Sequence, residues 1–193
     1  MNMTQQVSVN SKDIFRSHGV PERYLEKWFR NYEATTKAQK EALEIIKTNI
    51  ARKPMLFLGK HGNGKTHLAT AVVKNRLIYG QEAQYYTLAS LLRSYRCSLG
   101  NPEFNEKQFF SKILECDTLV IDEFNVRSDS ESENRVIQEI VDSMYSKKSQ
   151  VILIANMSIK EFTEIIGERL IDRLKEQGAE VINFNWKSHR RAE

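Results

Sequence analysis

Cysteine is scarce in this sequence: Cys97 and Cys116 are the only two, and neither has a second Cys or a His at metal-ligand spacing. A disulfide scaffold and a structural zinc site are therefore excluded as organising devices. The four histidines, His18, His61, His67 and His189, are scattered and supply no ligand pair. With 3 Pro and 8 Gly in 193 residues, collagenous and low-complexity compositions are excluded as well. Long apolar runs are also missing. The most apolar stretch, Val151 to Ile159, already contains Asn156 and Ser158 and falls far short of the ~18–20 residues of a membrane-spanning helix, so no membrane partner is expected. The opening Met1 to Asn10 has no basic leader followed by an apolar segment, which makes the cytoplasm the expected compartment. Nor is there a large excess of one charge: 29 Lys and Arg face 25 Asp and Glu, a net +4 that permits an anionic partner without requiring one.

What is present is ordinary for a globular chain, 40% hydrophobic and 28% charged, and the length predicts one domain with a short appendage. Residues 1–12 are polar and aperiodic and read as a flexible arm. Residues 13–53 read as a helical prelude packed on the core. In it Tyr24, Leu25, Trp28, Phe29 and Tyr32 recur at helical spacing, and Thr36 caps a second helix through Gln39, Ala42, Leu43, Ile46 and Ile50. From residue 54 to 193, short β-forming runs alternate with helical patterns. The runs are Met55 to Leu58, Gln84 to Thr87, Thr118 to Ile121, Val151 to Ala155 and Glu180 to Phe184. Near-continuous apolar strands separated by helix-length segments predict an α/β fold, a five-stranded parallel sheet between helices.

The chemistry lies at three strand ends. Gly59-Lys60-His61-Gly62-Asn63-Gly64-Lys65-Thr66-His67 follows the first strand and opens a helix, the context a phosphate-binding loop requires. Glycines let backbone N–H groups turn inward around a polyphosphate, and the helix N-terminus adds its positive end. Lys65 is placed to reach the β and γ phosphates, and the Thr66 hydroxyl to ligate Mg²⁺. At average residue usage such a pattern arises by chance in under about 1% of chains this long. Thr118-Leu-Val-Ile-Asp122-Glu123 ends a strand in two acids, Asp122 for the metal shell and Glu123 as the base that polarises an attacking water. Asn156 closes the next strand, where its amide either contacts the γ phosphate or water, or simply makes a turn.

The order of phosphate loop, Asp-Glu strand and Asn-ended strand resembles the AAA+ ATPases, here a P-loop NTPase fold. Gly167-Glu-Arg169-Leu-Ile-Asp172-Arg173-Leu, followed by Val181-Ile-Asn-Phe184-Asn185-Trp186-Lys-Ser188-His-Arg190, resembles the C-terminal blocks of the DnaC/DnaI helicase loaders. The approach Gly19-Val-Pro21-Glu-Arg-Tyr24 with Phe29, Asn31 and Tyr32 is similar to theirs too. The resemblance implies ATP and Mg²⁺ as cofactors, ATP hydrolysis, and no C-terminal helical lid domain. It makes Arg173 an arginine finger delivered into a neighbouring subunit's site, and Arg190 a sensor that contacts nucleotide in its own subunit.

It further implies self-association into a spiral oligomer on single-stranded DNA, and a replicative helicase as partner. Residues 1–12 are too short and polar for the separate module with which such loaders grip that helicase. The segment from Leu88 to Lys112, with Arg93, Tyr95, Arg96 and Lys107, interleaves basic and aromatic groups as strand-binding surfaces do. Its Phe109, Phe110, Ile113 and Leu114 fit a core face equally well. Two other readings remain open: a transposition-helper ATPase of the IstB type, and a non-catalytic, ATP-dependent assembly switch.

Overall fold

The computed structural model describes residues 11–49, 53–99, 103, 105–124 and 131–188. Most of the expected arm and Arg190 lie outside them. Five strands, β1 (Met55–Leu58), β2 (Ala83–Thr87), β3 (Thr118–Asp122), β4 (Gln150–Ala155) and β5 (Glu180–Asn183), form one sheet in the order β2-β3-β4-β1-β5. Every pairing in it is parallel. The helices are α1 (11–17), α2 (Lys37–Thr48), α3 (Lys65–Ile78), α4 (Leu88–Ser98), α5 (Glu106–Leu114), α6 (Glu131–Lys147), α7 (Ile159–Ile166) and α8 (Glu168–Glu176).

Alternation along the strands divides the core in two. Leu56, Leu58, Leu119, Ile121, Val151 and Leu153 face α4 to α8. Met55, Phe57, Val120, Ile152 and Ile154 face α3 and the prelude. Both faces are covered, which is why the strands read as unbroken apolar runs. Among the described residues no helix follows β5, and none is long and apolar enough to cross a membrane.

The boundaries depart from the sequence reading where a short local signal decides. Thr36 caps α2 by accepting from Gln39 N, with the Gln39 side chain returning the bond. By contrast, residues 13–32 are not one helix. α1 stops before Gly19 and Pro21, and only two 3₁₀ turns follow, Glu22–Tyr24 and Phe29–Asn31. Residues 11 and 12 belong to α1 rather than to an arm. The helical stretch after β4 is broken at Gly167 into α7 and α8.

The prelude is fastened to α3 and to the sheet. Lys74 is fully buried, and its ammonium donates to the carbonyls of Tyr24 (2.6 Å), Leu25 (3.1 Å) and Lys27 while standing 4.3 Å from the Trp28 ring centroid. At the outer edge of the sheet, Tyr85 N–H donates to the His18 carbonyl (3.0 Å), and His18 Nδ1 lies 2.9 Å from the Ala83 carbonyl oxygen. Gly19 follows at φ +82°, where an added Cβ would stand 2.0 Å from the Tyr85 carbonyl oxygen. That approach is open only to glycine.

Candidate nucleotide site

β1 ends at Leu58, and the chain turns through Gly59 to Gly64 into α3, whose first turn carries Lys65 and Thr66 and no acidic residue. The positive end of α3 therefore faces the loop with no acidic side chain of its own first turn beside it. Gly64 stands at the helix N-cap with φ +91°, and a Cβ there would meet the Tyr32 ring at 2.4 Å. The Tyr32 hydroxyl donates to Asn63 O (3.3 Å), so the prelude rests directly on the loop. Burial raises the Tyr32 phenol to about 12, which keeps it a donor.

Lys65 is 5% exposed, and its ammonium donates to the carbonyls of Gly59 (2.7 Å) and Lys60 (2.6 Å) at the mouth of the loop. Burial pulls its pKa down to about 8, with Asp122 opposing the fall. The Thr66 hydroxyl donates to Asp122 Oδ2 (2.7 Å), so the two residues assigned to the metal meet although 56 positions separate them. A hydroxyl beside a carboxylate, with the remaining positions left to water and phosphate oxygens, is the oxygen-only donor set that Mg²⁺ takes, and these residues fit it. No cluster of three or more His, Cys, Asp or Glu exists among the described residues that could hold a metal without such help.

Glu123 follows Asp122 at the strand end with φ +59° and an exposed side chain, while its N–H donates to Asp122 Oδ1 (2.6 Å). This left-handed backbone is unusual for a glutamate and falls immediately after the last residue of β3. Asn156, half buried beyond β4, lines a cavity of about 540 Å³ together with Gly59, Lys60, Ser158 and Phe184. Lys65, Thr66, Asp122, Glu123 and Asn156 thus sit at the carboxyl ends of β1, β3 and β4 or in the turns that follow them, where ligands bind in open α/β sheets.

Within the loop, His61 is exposed and Gly62 half buried. Two loop side chains point elsewhere. Asn63 Nδ2 donates to the carbonyls of Phe184 (2.7 Å) and Trp186 (2.6 Å), and Trp186 Nε1 donates back to Asn63 O (3.0 Å), locking the tail after β5 to the loop. His67 Nε2 lies 2.9 Å from the Trp28 carbonyl oxygen, so its ring engages the prelude.

Arg173 is on α8 and pairs with Asp142 of α6, with Arg169 3.9 Å from the same carboxylate. Of the strand-binding candidates, Arg93 and Lys107 are exposed on α4 and α5, and Arg96 is exposed with its guanidinium 3.1 Å from Glu133. Tyr95 requires a correction. It is buried at 7% exposure against Phe109 and Phe110, with its hydroxyl on Glu106 (3.3 Å), so no ring face is free to stack on a base. Basic and aromatic residues interleave along α4, but the helical period turns the aromatic inward and the arginines outward.

This loop and this strand order together define an ATP-binding protein of the AAA+ class. The profile of the IstB-like ATP binding proteins matches residues 23–193, and the chain belongs to that family. The replicative helicase loader DnaC of Escherichia coli K12 is 32% identical over 169 residues, which cover 84% of this chain and 68% of the loader. In fold, the chain is similar to the crystal structure of the DnaC helicase loader, with TM-score 0.74 and 21% identity over 84% of this chain and 99% of that one. It is also similar to the crystal structure of DnaI, with TM-score 0.71 and 14% identity over 89% and 95%. The resemblance drawn from the tail blocks is borne out.

Tyr32, Tyr85 and the Asn63–Trp186 lock were not found from the sequence. A tyrosine in a strand or turn carries no local signal, and Asn63 meets its partners across more than 120 positions.

Proposed function

We propose that the chain hydrolyses ATP to ADP and phosphate in a spiral oligomer on single-stranded DNA, in the manner of a helicase loader. The observation that carries this reading is the meeting of Thr66 and Asp122 at 2.7 Å beside Lys65 and Glu123. A protein that merely held phosphate would not need the second acid. The family profile is that of the IstB-like proteins and does not separate the two roles; the 32% identity to DnaC over 84% of the chain supports the replication role over that of a transposition helper.

In this reading the loop N–H groups and Lys65 hold the β and γ phosphates, Lys65 exchanging two carbonyl contacts for phosphate oxygens. Thr66 and Asp122 hold Mg²⁺, which supplies neutralisation of phosphate charge. Glu123 takes the proton of the attacking water, Asn156 orients that water or the γ phosphate, and Arg173 enters from a neighbouring copy to meet developing charge. Arg190 contacts nucleotide in its own subunit. Exposed Arg93, Arg96 and Lys107 neutralise the DNA backbone. The helicase is the proposed protein partner.

Lys65→Ala should abolish tight MgATP binding, whereas Glu123→Gln should retain binding and lose turnover, since an amide keeps the shape and cannot accept the proton. Fluorescent-ATP titration and phosphate release measure both, and unchanged hydrolysis in Glu123→Gln removes the assignment of the base. Anisotropy with labelled single strands should show binding that needs ATP, strengthens with strand length and weakens steeply with salt. No binding to long strands at low salt with ATP would favour the assembly switch.

A further inference from the structure

We propose that Tyr85 is a positioning residue for the metal-facing carboxylate of Asp122, and through it for the Thr66 hydroxyl. This rests on the reading of Asp122 and Thr66 as the groups that hold Mg²⁺. Tyr85 lies on β2, and its hydroxyl donates to Asp122 Oδ2 at 2.8 Å, the same oxygen that accepts from Thr66 at 2.7 Å. Oδ1 accepts the N–H of Glu123. Three donors on two oxygens fix the carboxylate plane. One of them is the other metal residue, and one belongs to the turn that carries the proposed base. Tyr85 is the donor that does neither of those jobs, so holding the carboxylate is what its hydroxyl does.

Burial makes the contact count. Tyr85 and Asp122 are each 4% exposed, so water is a poor substitute for a missing donor. With the Thr66 O–H donated to Asp122 as a hydrogen bond, the lone pairs of Thr66 Oγ1 are left for a metal.

The Tyr85 backbone is also held by the prelude. Tyr85 N–H is bonded to the His18 carbonyl, and the Gly19 backbone lies against the Tyr85 carbonyl oxygen. Tyr85 is therefore the point where the prelude reaches the metal pair, and two residues later β2 gives way to α4. Tyr86, next in sequence, packs against the opposite core.

Groups that orient metal ligands typically cost about 10–100-fold in metal affinity when removed. Tyr85→Phe should accordingly raise, by roughly tenfold, the Mg²⁺ concentration that half-saturates the Mg²⁺-dependent tightening of fluorescent-ATP binding. Binding of the same nucleotide in EDTA, which reports an intact fold and loop, should stay as in the wild type, and Tyr86→Phe should leave both unchanged. Asp122→Asn separates the two layers of the argument. If it leaves the Mg²⁺ dependence unchanged, the reading of the metal pair fails and the proposal with it. If it moves the dependence while Tyr85→Phe does not, the proposal alone is overturned. A measurement on unmutated protein guards against a folding defect. With tyrosine ¹³C-labelled at Cζ, the Tyr85 resonance should shift when Mg²⁺ is added to the ATP complex, and an unmoved resonance overturns the proposal.

Discussion

Lys74 shows how a single charge can organise a segment it does not belong to. It is a lysine with no exposure, ringed by three carbonyls and two aromatic rings, Trp28 and Phe15. Lys74→Met keeps the bulk and orphans those carbonyls, so it should destabilise the protein by on the order of 3 kcal/mol, measured by denaturant unfolding. Burial also pulls its pKa from 10.5 to about 8. Between those values the unfolded chain holds a proton that the folded chain has released, so unfolding takes up a proton and this contribution to stability rises with pH from about 8 to 10.5. The variant should lack that rise. None of this was legible in the sequence, where Lys74 reads as one more polar position on a helix. The loop between β1 and α3 was legible as a pattern, because its signal is local, glycines, a lysine and a threonine within eight positions, while the turning away of the Asn63 and His67 side chains was not. Tyr95 was not, since its composition signal carried no information about which way the ring points.

At the scale of elements, the strands and the helices between them could be read from the chain because each strand is buried on both faces and announces itself as an apolar run. The first part of the prelude, before Thr36, could not, since its aromatic spacing is produced by packing against α3 rather than by a helical period. Trp28 and Tyr32 flank a 3₁₀ turn, and both reach α3 or the loop before it. The turn at Gly19 decides this layout. Gly19→Ala combines a positive φ with a Cβ 2.0 Å from the Tyr85 carbonyl oxygen, and should lower stability by ~1–3 kcal/mol. Because the displaced backbone belongs to Tyr85, the same variant should also blunt the Mg²⁺ dependence of ATP binding. Thermal unfolding and nucleotide titration on one preparation test the two effects together.

At the scale of the whole molecule, the proposed arginine finger is held within its own chain by Asp142, with the Tyr145 ring centroid 5.9 Å from its guanidinium carbon. To act in a neighbour, Arg173 must leave that carboxylate. Asp142→Asn should therefore lower the protein concentration at which hydrolysis becomes cooperative. Arg173→Ala should cut the rate of the assembled protein by ~10³–10⁵ while leaving nucleotide binding nearly intact. Mixing Arg173→Ala with Lys65→Ala should recover activity at interfaces that pair an intact loop with an intact finger. A mixture as inactive as its components, under conditions where subunits exchange, removes the in-trans role.

The covered flank of β2 has a further consequence for a protein proposed to gather in many copies. An outer parallel strand carries a row of main-chain donors and acceptors, and such a row recruits other strands with little regard for sequence. Here the turn at His18 and Gly19 occupies part of that row, taking the Tyr85 N–H and meeting the Ala83 carbonyl. If copies crowd along a DNA strand as proposed, their encounters become more frequent, and the part of the β2 edge that this turn occupies is closed to strand pairing between them. The prelude thus removes main-chain groups of β2 from those on which a strand of another copy could pair, leaving assembly there to side-chain contacts that can be broken again.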